Sequence, residues 1–136
     1  MIRVIDIIWV EDIQAYLPSI KDELAELERE FKVKLDITEK NDSSELAKIA
    51  FDIPSSLVFC VDYNLKNEED GIGIDGDKVI ENIRAVNPNC SVVFYSAKLT
   101  QEELRLIIGN DDSYTTCVYR PNLLEKLREM LENGEI

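Results

Sequence analysis

Two stretches of this chain are apolar without alternation. Ile2–Val10 is almost continuously hydrophobic and rich in β-branched residues, and Leu57–Val61 reads LVFCV. A strand that buries one face alternates apolar and polar residues. A strand with no polar face is buried on both sides, as an inner strand of a helix-covered parallel sheet is. Ser91–Tyr95 (SVVFY) has the same character, and Thr115–Tyr119 (TTCVY) is a further strand. Val33, Leu35 and Ile37 alternate with Lys34 and Asp36, the pattern of a half-buried strand.

Between these runs the period lengthens to that of a helix. Ile13, Leu17, Ile20, Leu24, Leu27 and Phe31 recur every three or four residues, and Pro18 places the start of regular helix near Leu17. Ser43 or Ser44 is positioned to cap a short helix through about Phe51. A helix from about Asp75 to Val86 carries Val79, Ile80, Ile83 and Val86 inward and stops before Pro88. Thr100 and Glu103 form a T-x-x-E capping box for a helix to about Gly109. Asn122–Leu131 is the last helix, with Leu123, Leu124, Leu127 and Leu131 on one stripe. Five strands alternating with five helices predict one α/β domain over residues 1–136, a parallel sheet between two helical layers.

Composition excludes several functions. With no histidine, a His-based zinc site, a Ser-His triad and a phosphohistidine carrier are ruled out. The net charge of −13 would repel a nucleic-acid backbone. No apolar run approaches a membrane span, and the N-terminus has the pattern of a core strand rather than of a signal peptide. The three cysteines, Cys60, Cys90 and Cys117, are odd in number and widely spaced, and are expected to be buried thiols in a reducing cytoplasm.

Ligands of an open parallel sheet bind at the carboxyl ends of its strands. Glu11 and Asp12 follow the first strand, Asp62 the third, Ser96, Ala97 and Lys98 the fourth, and Arg120 and Pro121 the fifth. Two carboxylates about 4 Å apart repel by roughly 4 kcal/mol at an effective dielectric near 20. Three gathered together need a cation or must take up protons. An all-oxygen site with open positions suits Mg²⁺ and a phosphate. Asp62 is then placed to attack a phosphoryl donor, with Arg120 and the Ser96 hydroxyl holding the other phosphoryl oxygens. Any one of these residues alone is an ordinary turn, cap or surface residue; the joint placement carries the argument.

The ordered motifs resemble the receiver domain of bacterial two-component response regulators along almost the whole chain. The resemblance rests on VED at Val10–Asp12, VDYNL at Val61–Leu65, GIDG at Gly73–Gly76, IRAVNP at Ile83–Pro88, VVFYSAK at Val92–Lys98 and YRP at Tyr119–Pro121. It implies a flavodoxin-like three-layer sandwich with strand order 2-1-3-4-5, two helices on one face and three on the other. It also implies that Asp62 accepts a phosphoryl group from a histidine kinase or phosphotransfer protein, in a phosphorelay. Asp12, Asp62 and the backbone carbonyl of Asn64 would bind Mg²⁺, and Glu11 would act mainly through water. Ser96 would follow the phosphoryl group and switch the face formed by the fourth helix, fifth strand and fifth helix toward a protein effector.

Three features depart from the pattern. Arg120 stands where the family has lysine, the loop from Asn64 to Gly73 is long and acidic, and Cys117 occupies the usual place of an aromatic switch residue. Two readings therefore stand: a Mg²⁺-dependent, phosphorylation-switched signalling domain that is not itself an enzyme, and a degenerate receiver that binds proteins constitutively. An aspartate-nucleophile phosphatase would carry D-x-D after the first strand. A flavin-binding sandwich would carry a hydroxyl- and glycine-rich loop there, and EDIQAYL is neither.

Overall fold

The structure is a computed structural model that describes residues 3–10, 17–40, 57–63 and 76–134. In chain order it contains β1 (Arg3–Val10), α1 (Leu17–Phe31), β2 (Val33–Lys40), β3 (Leu57–Asp62), α2 (Gly76–Val86), β4 (Ser91–Ser96), α3 (Gln101–Ile108), β5 (Thr115–Tyr119), a 3-10 turn (Arg120–Asn122) and α4 (Leu123–Glu132). The strands form one five-stranded sheet in the order β2-β1-β3-β4-β5, every pair parallel. This is the expected sandwich and strand order. The short helix predicted from Ser43 or Ser44 to about Phe51 lies outside the described residues.

The missing alternation has the expected cause. Ile5, Ile7 and Trp9 of β1, Cys60 of β3, Tyr95 of β4 and Val118 of β5 face α1 and α4, packing with Leu24, Leu27, Leu123, Leu127 and Met130. The intervening residues Ile8, Val10, Phe59, Val61, Val92, Phe94 and Cys117 face α2 and α3, packing with Val79, Ile80, Ile83 and Leu104. Two described helices thus cover each face of the sheet.

Burial on both faces fails at the start of β1, where Val4 is exposed. β3 begins to pair only at Asp6, so the first turn of β1 has β2 as its sole described neighbour. The last helix starts one residue later than predicted, because Pro121 shapes a 3-10 turn ahead of it. Its buried stripe includes Met130, while Leu124 and Leu131 are only partly covered. Thr100 closes the capping box with Glu103 as predicted, its hydroxyl accepting from the Glu103 N–H. All three cysteines are free and buried, and burial pushes each thiol up.

Candidate functional site at the carboxyl edge of the sheet

Asp62 is the last residue of β3, the central strand, and is 5% exposed. Its position is secured by backbone on two sides. The Tyr63 N–H donates to the Tyr95 carbonyl at 2.9 Å, extending the β3–β4 ladder one residue past Asp62. The Gly76 N–H, at the first residue of α2, donates to the Tyr63 carbonyl at 2.8 Å. A Cβ on Gly76 would collide with the Asp62 carbonyl oxygen. Glycine is required there by space: α2 begins directly against the peptide that carries the carboxylate.

Ser96 ends β4 one register step beyond Tyr95, the partner of Asp62. It is fully buried, and its Oγ accepts from the backbone N–H groups of Lys98 and Leu99, each at 3.0 Å. Those two bonds occupy the oxygen's lone pairs, so any further bond from this hydroxyl is a donated one.

Arg120 follows β5 directly and opens the 3-10 turn, where its carbonyl accepts from the Leu123 N–H. β5 lies two strands from β3, about 10 Å at ordinary strand spacing, a gap that a long side chain narrows. The Arg120 guanidinium carbon lies 5.9 Å from the centroid of the Tyr95 ring. Tyr95 is itself anchored, its hydroxyl accepting from the Trp9 indole N–H at 2.8 Å with both side chains fully buried. The two rings are tilted at 54° with centroids 6.0 Å apart.

Of the predicted residues, Asp62, Ser96 and Arg120 thus lie at the carboxyl ends of three successive strands, on one edge of the sheet. Glu11, Asp12 and Asn64 lie outside the described residues. Val10, the last residue of β1, pairs with Val61, the residue before Asp62. A buried carboxylate at this edge supplies the hard oxygen donors that Mg²⁺ takes, so the residue that is described fits that ion. Cys117, in the place of the aromatic switch residue, is buried against α2 and α3, and Tyr119 and Tyr114 are exposed. Sequence reading missed the roles of Trp9, Tyr95 and Gly76. The aromatics had the character of strand core, and the signal present for Gly76 was the GIDG motif.

No family model and no curated protein matches this sequence. Solved structures do match. A CheY-like response regulator receiver domain from Methanospirillum hungatei JF-1 is 23% identical over 97% of this chain and 97% of its own, with a TM-score of 0.65. A receiver domain from Clostridium thermocellum is 15% identical over 95% of this chain and 92% of its own, with a TM-score of 0.70. The receiver domain of the Francisella response regulator 1452 is 21% identical over 93% of each chain, with a TM-score of 0.63. Strand order, layering and near full-length superposition agree: the chain has the fold of response-regulator receiver domains.

Proposed function

We propose that this chain is a signalling receiver that accepts a phosphoryl group on Asp62. The observation that carries the reading is a carboxylate 5% exposed at the end of the central strand, beside the strand ends that present Ser96 and Arg120. An Asp62 oxygen attacks phosphorus in a phosphohistidine or an acyl phosphate. The new O–P bond forms as the bond from phosphorus to the donor's nitrogen or oxygen breaks, and that donor atom keeps the electron pair. The Ser96 hydroxyl donates to one phosphoryl oxygen, and the Arg120 fork holds others. Asp62 and Asp12, with the Asn64 carbonyl and with Glu11 through water, would hold Mg²⁺, which would neutralise charge on the transferring group.

The donor is a histidine kinase or phosphotransfer protein, and the receiving partner is a downstream protein effector in the cytoplasm. In support of an effector face, a groove of about 550 Å³ runs between α3, β5 and α4, lined by Glu102, Arg105, Leu106, Thr116 and Lys126 among others. Leu106, on its rim, is 83% exposed. That same face favours a second reading, a degenerate receiver that binds its partner without phosphorylation, because Cys117 replaces the aromatic that would couple the face to the site.

Intact-mass measurement after incubation with acetyl phosphate and Mg²⁺ separates the two. The phosphorylated reading expects one added phosphoryl mass, lost without Mg²⁺ and absent in Asp62→Asn. An unmodified parent protein gives the second reading, and a modification that survives in Asp62→Asn places the acceptor elsewhere.

A further inference from the structure

The cation at the end of β5 rests on an aromatic ring. Arg120 lies over Tyr95 at 5.9 Å, within the range of a cation–π contact. Val118, the β5 partner of Tyr95, is on the face of the sheet covered by α1 and α4, and Arg120 is two residues further on. Tyr95 cannot turn away easily. It is fully buried, and its hydroxyl holds the Trp9 indole N–H from β1, two strands away.

We propose that Tyr95 is the positioning residue for Arg120, holding its guanidinium ready for the phosphoryl group; this rests on the reading of Asp62 as the acceptor. A ring face attracts the cation without consuming the N–H donors that lie in the guanidinium plane. Those donors are the ones phosphoryl oxygens use. Arginine stacks on aromatic planes, whereas the compact, strongly hydrated lysine ammonium gains less from them. Tyr95 therefore accounts for arginine standing at this position.

The test is a double-mutant cycle on Tyr95→Leu and Arg120→Lys, with Tyr95→Phe as the ring-keeping control. Two quantities are read in each: the Mg²⁺ affinity, and the half-saturating concentration of beryllofluoride, a phosphoryl mimic, at saturating Mg²⁺. Tyr95→Leu is expected to raise the beryllofluoride concentration about fivefold, equivalent to about 1 kcal/mol, with Mg²⁺ affinity unchanged. Tyr95→Phe stays within about twofold on the same scale. Adding Arg120→Lys to Tyr95→Leu costs little more than either change alone. Additive losses, or a parallel fall in Mg²⁺ affinity, reduce Tyr95 to core filler and overturn the proposal. The Arg120 Hε resonance gives a reading that needs neither ligand nor a destabilising variant. Ring current displaces it in the parent and in Tyr95→Phe, and an Hε at the free-arginine position in the parent also overturns the proposal. If the parent binds no beryllofluoride while Hε is displaced, the phosphoryl reading fails and the hold of Tyr95 on Arg120 stands.

Discussion

Arg84 illustrates how much one side chain can organise at the edge of the sheet opposite Asp62. Its Nε donates to Asp112 Oδ2 at 2.8 Å, one Nη to the Cys90 carbonyl at 2.6 Å, and the other to Thr115 Oγ1 at 2.9 Å. The Thr115 hydroxyl donates in turn to the same Asp112 oxygen at 2.6 Å. Burial alone would raise the Asp112 pKa, but the bonds from Arg84 and Thr115 and the Arg84 charge outweigh it and hold the carboxyl below its usual value. Asp112→Asn is expected to cost about 2 kcal/mol at neutral pH, the worth of a hydrogen bond to a charged group in a site this sheltered. A depressed folded-state pKa contributes stability that is complete above the unfolded value, near 4, and is lost as pH falls through the lower folded value. The gap between parent and variant in urea unfolding should therefore be full at neutral pH and close in acid. Equal midpoints at neutral pH would show that the network carries no stability. The sequence showed Arg84 only as a polar residue within IRAVNP, because Asp112 and Thr115 lie 28 and 31 positions away.

Elements held by short-range chemistry were legible in advance. The capping box of α3 joins residues three apart, and the helical stripes repeat every three or four residues. The start of α2 is different. Its register against β3 is set by the contact of Gly76 with the Asp62 carbonyl, 14 residues back along the chain. A Cβ there meets backbone, which cannot rotate aside as a side chain can. Gly76→Ala is expected to destabilise the fold by about 2 kcal/mol, as overpacking does. By displacing the Asp62 peptide it should also slow phosphoryl uptake from acetyl phosphate. A variant with parental stability and uptake would show that α2 shifts without disturbing the end of β3.

At the scale of the molecule, the sheet divides two cores and leaves Asp62, Ser96 and Arg120 at its carboxyl edge. If Asp12 gathers there with Asp62, Mg²⁺ binds the folded state alone and stabilises it by mass action. At ten times its dissociation constant the gain is about 1.4 kcal/mol, a rise of about 5 °C in Tm for a domain of this size. Asp12→Asn should abolish most of that rise, and an unchanged parental Tm in excess Mg²⁺ would remove the metal from the proposed function. Periodicity along the chain determined the elements, the parallel sheet and the strand ends from which Asp62, Ser96 and Arg120 emerge, because burial of a strand or helix face is written at spacings of two to four residues. Only the tertiary structure decided that Trp9 meets Tyr95, 86 positions away, that Arg120 lies over that ring, and that Gly76 abuts Asp62. Those contacts follow from which strands lie side by side and in what register, and no local period encodes either.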